Sequence, residues 1–169
     1  MKSLLLYAAV SIVTLTACGQ KVNTQSPIAE VKGATASGTT IYIRYNQPSV
    51  RGRTIGKDLE PLPGKVWRTG ADSATAFEVN KDVKVEGKAL PAGRYALFTI
   101  ANGDDWTIIF NKDVHKWGAF SYKESEDVLR VKVKAAKAAK FAEKFTITVS
   151  KAGKVDLLWG DSDVSFKVE

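Results

Sequence analysis

From residue 39 onward, apolar and polar positions alternate with a period of two. Ile41, Ile43 and Tyr45 alternate with Tyr42 and Arg44, and Thr75, Phe77 and Val79 alternate with Ala76 and Glu78. Successive side chains of a strand point to opposite faces, so this spacing predicts strands half-buried against a core. Val83 and Val85 run into a turn at Glu86-Gly87-Lys88. Residues 93–100 and 106–110 are apolar on both faces, which predicts central strands. Asn102-Gly103-Asp104 between them is a hairpin signal. Leu129, Val131 and Val133 oppose Arg130, Lys132 and Lys134, while Phe145, Ile147 and Val149 oppose Thr146 and Thr148. Two further strands close the chain, one carrying Val155, Leu157 and Trp159 and the other Val164, Phe166 and Val168. Their turns are expected at Ala152-Gly153 and Gly160-Asp161-Ser162. Only residues 135–144, rich in Ala and Lys, read as a helix, a solvated connector of one or two turns. Short strands broken by Gly, Asp and Asn predict an all-β fold, a single antiparallel β-sandwich or jelly-roll-like domain over residues 39–169.

Two stretches depart from this pattern. Residues 47–72 hold Pro48, Pro61 and Pro63 together with Gly52, Gly56, Gly64 and Gly70. They read as one long irregular loop, and a loop of that length inside a compact domain usually carries function. Residues 18–38 are small and polar without sustained periodicity, and read as a flexible tether.

The N-terminus predicts the address. Lys2 precedes a charge-free apolar run over residues 4–17, shorter than the ~20 residues a bilayer-spanning helix needs. It has the length of a secretory signal, and its end, Leu15-Thr16-Ala17-Cys18, resembles a bacterial lipobox. The resemblance implies a signal peptide over residues 1–17, cleavage before Cys18 and acylation of its thiol. Stable anchoring takes two membrane signals, which a multiply acylated cysteine supplies. Cys18 is the sole cysteine, so no intramolecular disulfide is expected. No acidic residue closely follows Gly19, and by resemblance to lipoprotein sorting rules this implies the outer membrane, facing the periplasm. The membrane is therefore the one partner expected with a defined attachment.

The formal charge of +7 falls to about +6 once Lys2 is removed. Outside the cytoplasm, with lysines scattered over alternating strand positions, that excess argues against nucleic acid. It reads as a solvated surface with weak attraction to anionic lipid or acidic glycan.

The chemistry the chain can carry is limited. His115 is the only histidine, so no His/Cys ligand cluster exists and no metal or cofactor is expected. Asp104, Asp105, Asp161 and Asp163 are hairpin-turn residues without the spacing of a calcium loop. No Gly-x-Ser-x-Gly elbow is present. Asp72 and Glu78, the acids nearest the irregular loop, are the candidates for paired-carboxylate hydrolysis. The arginines are more informative. Arg44, Arg51, Arg53 and Arg68 cluster on the first predicted strand and the long loop, whereas the rest of the chain mostly uses lysine. Arginine's planar fork grips carboxylate, phosphate or sulfate through two hydrogen bonds, or stacks on aromatic rings. Trp67, Trp117, Tyr122, Tyr42 and Tyr45 offer such rings. Two readings stand side by side. In one, these arginines and aromatics line an anion- or sugar-binding pocket. In the other, Arg44 and Arg68 pair internally with Asp72, Glu78 or loop carbonyls and pin the loop, while the tryptophans fill the core.

Several blocks together resemble a bacterial family catalogued as domain of unknown function 2911. They are Arg44-Tyr45 with Pro48-Ser49 and Gly52-Arg53; Gly64-Lys65-Val66-Trp67-Arg68-Thr69-Gly70-Ala71; Leu90-Pro91-Ala92-Gly93 with Tyr95 and Leu97-Phe98-Thr99-Ile100; Trp106-Thr107-Ile108-Ile109-Phe110-Asn111-Lys112; Trp117-Gly118 with Tyr122; and Asp127-Val128-Leu129-Arg130-Val131. The resemblance implies no particular activity. Where relatives typically read Gly-Ala-Asn-Glu-Ala-Thr, this chain has Gly70-Ala71-Asp72-Ser73-Ala74-Thr75, so its carboxylate comes one position earlier and is one methylene shorter. The expectation is a non-catalytic envelope lipoprotein whose arginine loop holds an anionic or glycan ligand. An envelope hydrolase using Asp72 and Glu78, and a scaffold contacting another protein through its strand edges, are the alternatives.

Overall fold

A computed structural model describes residues 26–115 and 117–169. The expected signal peptide over residues 1–17 and Cys18 lie outside the described residues. The strands are β1 (Ile28–Ala34), β2 (Thr40–Asn46), β3 (Val66–Trp67), β4 (Thr75–Val79), β5 (Val83–Val85), β6 (Lys88–Leu90), β7 (Gly93–Asn102), β8 (Asp105–Asn111), β9 (Asp127–Val149) and β10 (Lys154–Lys167). The fold is all-β. Its main sheet runs β1-β2-β4-β7-β8-β9-β10, with β3 added on β7, and β5 and β6 form a separate hairpin.

The period-two segments become strands for the reason the pattern suggests. Along β2, Ile41, Ile43 and Tyr45 are buried while Tyr42 and Arg44 are partly exposed. The apolar runs at residues 93–100 and 106–110 become β7 and β8, with Ala96, Phe98 and Ile109 forming a second, smaller cluster on the outer face. A two-residue turn joins them, with Asn102 opposite Asp105 and Gly103 at φ 61°.

The sheet curls until its two ends meet around one core. β9 pairs with β8 through its first part and with β10 through its second. Near its far end, the segment after β2 reaches it. The Phe145 amide donates to the Pro48 carbonyl at 2.9 Å, and the Val50 amide donates to the Glu143 carbonyl at 2.8 Å. The Ile147 amide, on the same strand, donates to the Tyr45 hydroxyl at 3.0 Å. Inside this closure Phe145, fully buried, meets Tyr45, Trp67 and Trp159 edge-on, at ring separations of 5.5, 5.0 and 6.0 Å. The layers face each other as in a sandwich, but one continuous sheet supplies both.

Three expectations are corrected. Residues 135–144 are not a helix; they belong to β9, opposite β10, with Ala135 against Val164 and Ala142 against Gly160. Alanine's advantage in a helix is at most ~0.7 kcal/mol per residue over ordinary residues. Ladder pairing and the burial of Ala138 and Phe145 outweigh it. The turn expected at Gly160-Asp161-Ser162 is a pair of register shifts inside one long strand, β10, which bend the strand without ending it. Residues 28–34, expected within the tether, are a strand instead, because Ile28–Ala34 pairs with β2 from Ile28 opposite Asn46 to Ala34 opposite Thr40. Edge pairing supplies the hydrogen bonds that order this weakly patterned segment, and Gly33 lets β9 approach so closely that a Cβ there would lie 2.5 Å from Val149 Cγ1.

Candidate functional site: an arginine-lined cleft

The long loop leaves β2 at Asn46, bonds to β9 through residues 48–50, and returns to the sheet as β3. Its Arg53 holds it together: Nε donates to the Val50 carbonyl at 3.1 Å and Nη2 to the Ser49 carbonyl at 2.7 Å. Arg51 sits at φ 49°, and its amide donates to Glu143 Oε1 of β9 at 2.8 Å. Trp159 of β10 donates its indole N–H to the Glu60 carbonyl at 2.8 Å. The loop is irregular but tied to two strands.

Arg68 follows β3 and is fixed through its backbone. Its neighbour Thr69 is fully buried with φ 54°, a conformation that costs a β-branched residue ~1–3 kcal/mol. Surrounding hydrogen bonds hold it there. Thr69 Oγ1 donates to Thr99 Oγ1 at 3.2 Å, Thr75 Oγ1 donates to the Thr69 carbonyl at 2.6 Å, and the Thr75 amide donates to the Arg68 carbonyl at 3.1 Å. Gly70 completes the turn where space is short, since a Cβ there would lie 3.0 Å from the Asn46 carbonyl oxygen. The strained turn thus fixes the backbone direction in which Arg68 leaves β3.

Beside the turn lies a cleft of about 140 Å³ lined by Arg51, Arg53, Arg68, Ser26, Ser49, Glu60, Trp67 and the Gly70-Ala71 backbone. At ~30 Å³ per water, it has room for a small oxyanion or one acidic group of a larger molecule. Arg68 Nε is buried in the protein without a hydrogen-bond partner. Buried polar groups are nearly always paired, so such an exception points to an absent partner or a functional role. The one acid among the lining residues, Glu60, accepts the Leu62 amide at 2.9 Å through Oε2.

The structure separates the arginines that the sequence grouped. Arg51, Arg53 and Arg68 share the cleft, with Arg53 also pinning the loop. Arg44 lies elsewhere, ion-paired to Glu30 at 3.5 Å and lining a second cleft with Arg94 and His115. Internal pairing therefore describes Arg44 and Arg53. Arg68 makes no ion pair with Asp72 or Glu78 among the described residues.

The aromatic floor is narrower than expected. Trp67 lies beneath the cleft but is 1% exposed, with its indole N–H donating to the Gly70 carbonyl at 3.0 Å; it supports the cleft and presents almost no ring to it. Trp117 and Tyr122 belong to the loop between β8 and β9 and do not line the cleft. Asp72 is exposed on the turn after Gly70, with φ 56°, and Glu78 is exposed on β4 between Tyr42 and Arg94. Neither lines the arginine cleft. The sequence offered no sign of Ser26 or Glu60 as lining residues. Ser26 lay in a stretch read as tether, and Glu60 is brought in by contacts with β10.

Tyr122 has a structural task. Its hydroxyl donates to Asp127 Oδ2 at 2.6 Å and accepts from Arg130 Nη2 at 2.5 Å, while Arg130 Nε also donates to Asp127 Oδ2 at 2.6 Å. The ring packs on Phe98 at 5.1 Å. Burial, then the adjacent Asp127 carboxylate, push the phenol up to about 12 from its ordinary value of 10.0. A proton held more tightly in the folded state stabilises it fully below the unfolded pKa, and that contribution is lost as pH rises through the folded value. The fold should therefore lose stability between pH 10.0 and about 12, and Tyr122→Phe should remove this part of the slope. Urea midpoints across that range measure the difference, and parallel profiles for the two proteins would contradict the assignment.

The geometry defines a class: an all-β domain carrying a small, cationic cleft framed by a loop tied to two strands. The chain belongs to the family described as protein of unknown function (DUF2911), whose model matches residues 26–168. That span begins just before β1. No curated protein and no solved structure matches the chain.

Proposed function

We propose that the protein is a lipid-anchored envelope domain that binds, without catalysis, a small anion or the acidic group of a glycan between Arg51, Arg53 and Arg68. The observation that carries this reading is the convergence of Arg51, Arg53 and Arg68 on one cleft, with the Arg68 Nε buried in the protein and unpartnered. A bound oxyanion would supply its missing acceptor and accept charge-assisted hydrogen bonds. The loop's attachment to β9 and β10 supports it further, because a pre-formed site loses little ordering entropy on binding.

A thermal-shift panel of phosphate, pyrophosphate, sulfate and a uronic acid tests the binding. A ligand at 100 times its dissociation constant adds ~2.7 kcal/mol to stability, so at least one member should raise the melting temperature. No shift across the panel would count against the site. The address is tested separately. Metabolic labelling with an alkyne fatty acid should mark the wild-type chain and miss Cys18→Ala. Label retained by Cys18→Ala would remove the lipid-anchor reading.

A further inference from the structure

Two large apolar side chains stand almost uncovered at one end of the domain, Trp117 at 68% exposure and Phe120 at 91%. The other three tryptophans are buried, Trp67 at 1%, Trp106 at 5% and Trp159 at 2%. The base beneath the exposed pair is held. The Gly118 amide donates to the Asp72 carbonyl at 3.0 Å, Trp117 forms a bridge with Ser73, and the Tyr122 amide donates to the Ala119 carbonyl at 3.2 Å. Tyr122 is in turn bonded to Asp127 and Arg130. The aromatics are thus presented on a framed loop.

This end is also where the chain enters the domain. Asn46 Nδ2 donates to the Ser26 carbonyl at 3.1 Å, and the Asn46 carbonyl accepts the Ala71 amide at 3.1 Å. Asp72 and Ser73, which touch the aromatic loop, come next in sequence. Ser26 therefore lies one short run of backbone away from Trp117. From Cys18 to Ser26 the chain reaches at most about 28 Å even fully extended, so an acyl group on Cys18 would keep this end of the domain within that distance of the bilayer. Arg44 and Arg94 line the cleft beside Ser73, Arg44 ion-paired to Glu30 at 3.5 Å and Arg94 opposite Glu78, and Lys112 and Lys123 flank the loop in sequence together with Asp113 and Glu124. Tryptophan favours the headgroup layer because its ring is apolar and its N–H is polar. Basic side chains near the surface are drawn to anionic lipid.

We propose that Trp117 and Phe120 seat in the interfacial layer of the membrane that carries the Cys18 anchor, fixing the domain's orientation on that surface. The proposal rests on the lipid-anchor reading. It is tested with the full chain reconstituted into phosphatidylethanolamine and phosphatidylglycerol vesicles whose acyl chains are brominated near the headgroup. Tryptophan emission should be quenched in the wild type, and Trp117→Phe should lose that quenching because the remaining indoles are buried. Quenching should also weaken in Phe120→Ala, which keeps the reporter. Fatty-acid labelling of the same preparation separates the two readings. A labelled chain without quenching overturns the membrane contact and leaves the anchor standing, whereas an unlabelled but quenched chain overturns the anchor and sustains the contact. Blue-shifted Trp117 emission without quenching would assign the tip to contact with a second copy of the chain and also overturn the proposal.

Discussion

Phe145→Ala is expected to destabilise the domain by about 3–5 kcal/mol, the range for removing a fully buried phenylalanine. The residue is 0% exposed and stands where the curled sheet closes, with Tyr45, Trp67 and Trp159 edge-on around it. Its own amide makes one of the bonds joining β9 to the segment after β2. The cavity would sit beneath Trp67, so the floor of the arginine cleft should loosen as well. Denaturant titration measures the loss directly. A cost below about 1 kcal/mol, outside the range for buried phenylalanine, would mean that the closure does not depend on this aromatic cluster.

Arg68→Lys should behave in the opposite way, leaving the fold intact and removing binding. Lysine keeps the charge but cannot reproduce the planar fork, and the substitution also removes a buried donor that has no partner. An unsatisfied buried group costs ~1–3 kcal/mol, so unliganded stability should stay level or rise slightly. The rise in melting temperature produced by the best anion should disappear. A large loss of stability in the unliganded variant would instead make Arg68 a structural anchor, returning the loop to architecture.

Strand content was legible because one face of most strands is buried, and burial writes a period of two into the sequence. Ile41, Ile43, Phe77 and Val79 show it plainly. Residues 135–144 and Ile28–Ala34 were not legible, because their order comes from partners far away in sequence: Val164 for Ala135, Asn46 for Ile28. The preference of alanine for helix is local and weak beside that. The candidate site was legible in its chemistry, since arginine concentrates where lysine is otherwise used. Its geometry was not. Only the curled sheet shows that Arg44 faces Glu30 while Arg51, Arg53 and Arg68 converge. The position of Trp117 beside the chain entry rests on the Asn46 side-chain bond to Ser26 and the backbone bonds accepted by Asn46 and Asp72, which leave no mark in composition.

The most direct test of the cleft follows the Nε–H resonances of the arginines by nitrogen-15 NMR, assigned by Arg68→Lys, during titration with the best-binding anion. The Arg68 Nε–H signal should move saturably as its missing acceptor arrives, with Arg51 and Arg53 responding and Arg44 unmoved. An Arg68 signal that stays in place while the anion binds elsewhere would contradict it.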